Sequence, residues 1–282
     1  MNSSETQFLG VDVGGTHLKI GLVDKAGNML DFQKEDTTQY REHADGFGPN
    51  FVKVIGKYLE KYPLVSKVGI GLPGMISKDR MTPLEIPAIP DLNNFPLKAS
   101  LKESYPQHDF YLENDAAAAA IGEFHYGKGE VSSNFLFITM GTGIGSALVL
   151  DGQVFKGSRG NALEMGHMLS RGNAGLETLI GRNGILRIMA NLVAAYPEKA
   201  GELVGKELGT HLLVDTAKAG NEVSLMVFKE VAEIISEAIV STIRILDVTD
   251  VYFGGGISAG LEFMMPTIEY NTRKFLTPYY VK

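Results

Sequence analysis

Apolar positions along the chain follow two rhythms, and their alternation sets the expected architecture. Residues 8–13 and 17–23 read as strands joined by Gly14-Gly15-Thr16, with Asp24-Lys25-Ala26-Gly27 as the turn that follows. The pattern returns at 135–140 and 144–150 around Gly141-Thr142-Gly143, followed by Asp151-Gly152. An ungapped offset of 127 places Phe8 on Phe135, Leu9 on Leu136, Gly14 on Gly141 and Asp24 on Asp151, which suggests an internal duplication. Between the hairpins, Phe47, Phe51, Val54, Ile55, Tyr58 and Leu59 recur at helical spacing, and 67–71 is a short strand closed by Leu72-Pro73-Gly74.

Residues 110–113 read as a further strand, after which Asp115 opens a helix whose residues 116–120 are all alanine. An alanine run at that point means tight helix packing, since alanine is the best helix former and has no reactive group. A loop-rich stretch, 157–184, precedes further helical segments, notably 225–246, and then a strand at 250–253 runs into Gly254-Gly255-Gly256 and another helix. Such alternation predicts an α/β protein of two lobes, each a mixed sheet flanked by helices. The boundary is expected within 115–130, dividing the chain into 1–116 and 117–282, with the ligand site in a cleft between the lobes.

Composition narrows the function. The 282 residues are 44% apolar and 21% charged, which suits a soluble globular chain with two cores. A formal charge of −7 works against a nucleic-acid partner, which needs clustered Lys and Arg. The start, Met1-Asn-Ser-Ser-Glu5, lacks a basic, apolar leader, and no run of about 18 apolar residues follows, so a cytoplasmic chain with no membrane partner is expected. Cysteine is absent, which excludes disulfides and thiolate metal sites.

Asp12-x-Gly14-Gly15-Thr16-x-x-Lys19 combines a strand-end carboxylate with glycines that let backbone N–H groups approach phosphate oxygens, a hydroxyl and an ammonium. That set suits phosphate and Mg2+, although a structural turn closed by Asp12 would read the same in isolation. Gly141-Thr142-Gly143-Ile-Gly145 offers a second cup for a polyphosphate. Neither turn ends in Gly-Lys-Ser/Thr, which excludes a Walker A loop, and neither is a Gly-x-Gly-x-x-Gly leading into a helix, which disfavours a dinucleotide fold.

These two motifs and Gly254-Gly255-Gly256 resemble the phosphate and adenosine motifs of the actin-like ATPase superfamily. Within it the chain is similar to the ROK family through Gly69-Ile-Gly71-Leu-Pro73-Gly74, Glu113-Asn114-Asp115-Ala, and the stretch from Gly157 to Glu164-Met-Gly166-His167. The match runs from about residue 8 to residue 260. The resemblance implies two actin-like (ribonuclease H-like) lobes, ATP and Mg2+ as cofactors, a sugar as substrate, and a homodimer. It makes Asp115 the catalytic base and Gly74, Asn93, Asn114, Glu164, His167 and Glu177 the sugar contacts. Asp12, Gly14, Gly15, Thr16, Lys19, Gly141, Thr142, Gly143, Gly254, Gly255 and Gly256 become the ATP site, with Asp12 reaching Mg2+ through water. A sugar's ring of hydroxyls calls for such paired carboxylates and amides.

The chain departs from the family in three places. The Cys-rich zinc segment of many members is Arg171-Gly-Asn-Ala-Gly-Leu-Glu177 here, one residue shorter and without a thiolate, so no zinc site is expected and polar and glycine contacts must shape the loop. Zinc-free members include polyphosphate-using glucokinases, which leaves the donor open between ATP and polyphosphate. Asp91-Leu-Asn93-Asn94-Phe95 stands where Asn-Leu-Pro-Gly-Trp is common, and the chain stops at Tyr279-Tyr-Val-Lys282 where relatives continue through another strand and helix. The expected reaction is phosphorylation of glucose to glucose 6-phosphate. An N-acyl hexosamine such as N-acetylmannosamine or N-acetylglucosamine is the alternative substrate, and a non-catalytic sugar-binding protein the alternative class. A DNA-binding repressor is disfavoured, because only seven residues stand before Phe8.

Overall fold

The computed structural model describes residues 6–41, 45–127 and 129–280. The stretch Met1-Asn-Ser-Ser-Glu5 and the final pair, Val281 and Lys282, lie outside them. Eleven strands occur among the described residues: β1 Gln7–Val13, β2 His17–Asp24, β3 Met29–Asp36, β4 Val65–Leu72, β5 Met75–Ile76, β6 Pro83–Glu85, β7 Asp109–Asn114, β8 Phe135–Met140, β9 Ile144–Leu150, β10 Gln153–Val154 and β11 Asp250–Gly254. The α-helices are α1 Thr38–Arg41, α2 Phe47–Lys61, α3 Leu97–Ser104, α4 Asp115–Tyr126, α5 Leu176–Ile180, α6 Arg182–Ala195, α7 Pro197–Ala200, α8 Thr210–Lys218, α9 Glu222–Leu246 and α10 Leu261–Phe275.

The chain forms two compact units. Among the described residues, the first contains those up to Val131 together with Val154–Ala162, and the second contains Ser132–Gln153 and those from Leu163 onward. This differs from the expected division at 116/117 for two physical reasons. Helix α4 stays with the first unit because Ala116, Ala117 and Ala120 are buried and the helix packs on β4 and β7. The segment Val154–Ala162 also returns to the first unit, where the Asn161 amide accepts from Ile76 N–H and donates to Ile76 C=O, both at 3.0 Å.

In the first unit the sheet order is β3-β2-β1-β4-β7. Strands β1, β2 and β3 are antiparallel neighbours, whereas β4 lies parallel to β1 and β7 parallel to β4. Alternation along β1 buries Leu9, Val11 and Val13. Helix α2 buries Phe47, Phe51, Val54, Ile55, Tyr58 and Leu59 in the same core, the face its sequence spacing predicts, with Phe47 and Phe51 stacked at 5.5 Å. Each such fully buried large side chain contributes roughly 1.5–3 kcal/mol over its exposed state.

The second unit repeats the plan with the order β10-β9-β8-β11, β8 and β9 antiparallel and β11 parallel to β8. Its core is organised by α9, which packs with α6 and α10 and buries residues from Val223 to Ile243. Asn221 caps α9 by accepting from Ser224 N–H at 3.0 Å. Among the described residues no helix is long and apolar enough to cross a membrane.

The two glycine-turned hairpins are alike in topology but not in register. Val13 pairs with Leu18 across four turn residues, while Met140 pairs with Ile144 across three. The second turn is one residue tighter than the ungapped sequence offset implies.

Candidate active site

In the first unit, β1 delivers Asp12 to the edge of the Gly14-Gly15-Thr16 turn. The turn is closed by Gly14 N–H donating to His17 C=O at 2.9 Å, and Cβ atoms at Gly14 and Gly15 would sit only 2.8 Å from His17 O and from Ala88 Cβ. Glycine is therefore favoured there by the protein's own packing, against backbone at Gly14 and against the Ala88 side chain at Gly15, as well as by any ligand. Thr37, fully buried, braces the turn twice: its hydroxyl donates to Gly14 C=O at 2.8 Å and its N–H to Thr16 C=O at 2.9 Å. Sequence reading missed Thr37, since a lone Thr at a strand end carries no signal. Asp12 and Lys19 face each other across β1 and β2, and Lys19 Nζ lies 2.8 Å from Asp12 Oδ2. Both are about half exposed, so the pair itself adds little stability. A half-exposed carboxylate beside a glycine turn fits Mg2+, which binds through one or two carboxylates plus phosphate oxygens and water.

Strand β7 ends at Asn114, and α4 begins at Asp115. The cap is Asn114 rather than Asp115: its side-chain oxygen accepts from Ala117 N–H at 3.1 Å while its amide donates to Gly74 C=O at 3.3 Å. Asp115 is the first residue of the helix, and its Oδ1 accepts from Ala116 N–H at 2.8 Å. Gly71, on β4, lies beneath it, where an added Cβ would be 3.6 Å from Asp115 Cα. Gly74 has φ +123° and its Cβ position overlaps Glu85 O, so only glycine serves there.

Glu113 holds this corner from behind. Arg80 Nη2 reaches its Oε1 at 2.9 Å, Lys156 Nζ its Oε2 at 2.7 Å, and Asn114 N–H donates to Oε1 at 3.1 Å. Glu113 and Arg80 are only 14% and 12% exposed, so this ion pair is shielded from the solvent that weakens surface pairs. Arg80 also donates to Gly160 C=O at 2.6 Å. Neither cation was singled out from sequence, because their separation from Glu113 along the chain leaves no local pattern. Asn93 lies exposed, and its side-chain oxygen accepts from the buried Ile86 N–H at 2.8 Å, which commits that oxygen to loop shape.

In the second unit the Gly141-Thr142-Gly143 turn is closed by Gly141 N–H donating to Gly143 C=O at 2.9 Å. Gly254, the last residue of β11, pairs with Thr139 on β8, next to that turn. Gly255 has φ +87° and a Cβ there would overlap Met140 O, so the third glycine motif is bound to the strand that leads into the second. Gly256 then opens a 3-10 turn over Gly256–Gly260.

Glu164, His167 and Glu177 also lie in the second unit. Leu163, in the left-handed region at φ +67°, precedes Glu164, and its carbonyl accepts from the buried Ser146 hydroxyl. Strain of this kind at a non-glycine residue is held only where surrounding bonds fix it. Glu164 and His167 flank a 3-10 turn, with His167 N–H donating to Glu164 C=O at 3.0 Å. Burial pushes the Glu164 carboxyl above its ordinary value; His167 opposes that rise and Glu177 adds to it, so the three groups share one electrostatic environment. Glu177, in the first turn of α5, accepts from Ile144 N–H at 2.9 Å.

The loop before Glu177 is shaped by polar and glycine contacts. Ser170 N–H donates to Ala174 C=O at 2.9 Å, Gly172 and Asn173 adopt positive φ, and Arg171 grips Glu237 of α9 through Nε and Nη2. No group of three or more His, Cys, Asp and Glu side chains among the described residues is placed to hold a metal.

Comparison with known proteins gives this geometry its context. The glucokinase of Thermotoga maritima is 30% identical over 98% of this chain and 90% of its own length. A solved protein from Cytophaga hutchinsonii superposes with a TM-score of 0.91 at 33% identity, covering 98% of this chain and 91% of that one. A glucokinase from Streptomyces griseus, solved with glucose and AMPPNP, gives a TM-score of 0.78 at 26% identity, covering 95% and 90%. The model of the ROK family matches residues 8–281, and the chain belongs to that family.

Proposed function

We propose that this sugar kinase transfers the γ-phosphoryl group of ATP to a hydroxyl of glucose, giving glucose 6-phosphate, with Asp115 as the base. The observation that carries the reading is the division of labour at the head of α4. Asn114 supplies the capping oxygen, while the Asp115 carboxylate stands in the first turn of the helix with its Oδ1 oriented by Ala116 N–H. The likeness to the Thermotoga and Streptomyces glucokinases supports glucose as the hexose.

In this reading the attacking hydroxyl donates a hydrogen bond to Asp115, which takes the proton late, when the loose transition state has made that oxygen acidic. The Ala116 N–H holds the carboxylate's orientation, and the Glu113 ion pairs hold the backbone that carries it. The N–H groups of the two glycine turns and the Lys19 ammonium oppose phosphate charge. Mg2+ held through Asp12 would supply further charge neutralisation at the phosphates. Glu164, His167 and Glu177 offer acceptors and donors for the remaining hydroxyls, and a sugar lacking one would leave them unpaired. A cytoplasmic location and a homodimer go with the same reading as expectations from the family.

The test is ADP release with Mg-ATP against glucose, mannose, fructose, N-acetylglucosamine and N-acetylmannosamine, each with Asp115→Asn as control. Turnover of glucose, cut at least about 1,000-fold by Asp115→Asn, is expected, in the range for loss of a general base. Preference for an N-acyl hexosamine would overturn the substrate; full activity in the variant would overturn the base. Turnover with polyphosphate in place of ATP would overturn the donor.

A further inference from the structure

Three positions in the second unit are glycine around a single side chain. A Cβ at Gly143 would overlap the Glu177 carboxylate. One at Gly166 would lie 3.5 Å from Glu177 Cβ and overlap Ile144 O, and one at Gly181 would lie 3.1 Å from both Glu177 Cγ and Thr142 O. Within this cradle Glu177 Oε2 accepts from Ile144 N–H at 2.9 Å. Ile144 is the residue that follows the Gly141-Thr142-Gly143 turn, and it is buried. Where α5 gives way to α6, Gly181 N–H donates to Glu177 C=O at 2.7 Å and Arg182 N–H donates to Thr142 C=O at 3.2 Å. The turn is thus held from outside by the α5–α6 corner. Among the described residues Glu177 makes the only side-chain hydrogen bond to residues 141–144.

A carboxylate beside a phosphate site repels the ligand, a cost that ordering the turn's N–H donors can offset. We propose that Glu177 is a positioning residue for the nucleotide, fixing the turn so that its N–H groups meet phosphate oxygens. The inference rests on the reading of that turn as a phosphate site. It adds a second task to the sugar contact expected of Glu177: Oε2 serves the turn, while Oε1 has no hydrogen bond among the described residues and remains for a hydroxyl. One side chain then touches the sugar and sets the nucleotide site.

The experiment measures the Kd of AMPPNP with Mg2+ by calorimetry, without sugar, for the full chain and four variants. Glu177→Ala removes the acceptor, and Glu177→Asp keeps the charge but is one methylene too short. Both should raise Kd about tenfold, the scale of a lost charge-assisted hydrogen bond. Glu177→Gln keeps an acceptor oxygen at the same reach, removes the repulsion, and should bind within about twofold of the parent or tighter. If Glu177→Ala does not fold, as judged by thermal melting, the Asp and Gln variants alone carry the comparison. Gly141→Ala is the reference: its Cβ would meet no protein atom within 4 Å, so only a ligand can object to it. Unchanged affinity in the Asp and Ala variants, with weaker binding by Gly141→Ala, would overturn the positioning role alone. Unchanged affinity in Gly141→Ala as well would overturn the phosphate reading beneath it.

Discussion

At the scale of single residues, Glu164 carries a cost that can be titrated. Its carboxyl is raised by burial above the ordinary 4.5. The native state therefore binds more protons than the unfolded chain between that value and the raised one. The stability this group contributes is full below the unfolded value and is lost as pH rises through the folded one. Replacing the carboxylate with a neutral amide of the same size should raise the melting temperature of Glu164→Gln above the parent's at about pH 7 and erase the difference near pH 4, as followed by circular dichroism. An equal difference at both values would mean that charge burial is not the cause. Residues with a reactive group in a dense local pattern, such as Asp12, Asp115 and Glu164, can be singled out from the sequence as candidates. Thr37, Arg80 and Lys156 cannot, because they act on partners distant in sequence, such as Gly14 for Thr37 and Glu113 for Lys156, through bonds that leave no periodic trace. Asn93 shows a different gap: its type and place were legible, but not that Ile86 N–H already occupies its oxygen.

At the scale of elements, the join between β7 and α4 is where stability and chemistry can be separated. Asn114→Ala removes the acceptor for Ala117 N–H and should destabilise the fold by about 1 kcal/mol, whereas Asn114→Ser keeps a capping oxygen and should recover most of that loss in urea denaturation. Equal stability of the two variants would show that the cap is not what Asn114 supplies. Strands β8 and β9 match the sequence reading end to end, and α2 begins at the Phe47 that opens the apolar series. The two strands are buried on both faces, so a continuous apolar run bounded by glycine turns marks their ends, whereas α2 has its core on one side, which imposes a clean helical period. Strand β3 was not read, because its positions are exposed or half-buried throughout and Asp31, Gln33, Lys34 and Glu35 hide any apolar alternation. The one-residue difference between the two hairpin registers was also hidden. An ungapped alignment sees the glycines, whereas register is decided by which backbone groups pair across the turn.

At the scale of the whole molecule, the sequence showed two cores and their alternating elements but not the return of Val154–Ala162 to the first unit. That segment has no apolar face to announce it; it is attached by polar groups, Lys156 on Glu113 and Asn161 on the backbone of Ile76. Asn161→Ala should leave the N–H of the fully buried Ile76 without its partner and its C=O with only the 3.5 Å contact from Arg80, and lower stability by about 1–3 kcal/mol in chemical denaturation. A change below about 0.5 kcal/mol would show that water replaces the amide there.

The same return path has a consequence for biosynthesis. A nascent chain emerges from the ribosome in sequence order, and at typical translation speeds the stretch between Val131 and Ala162 takes on the order of a few seconds to appear. During that interval the first unit has its sheet and helices but not the cation and amide that complete the backing of Glu113 and Ile76. Ribosome pausing within that window would prolong an unfinished intermediate and its exposure to chaperones and proteases, so synonymous codon choice upstream of Ala162 becomes a determinant of yield.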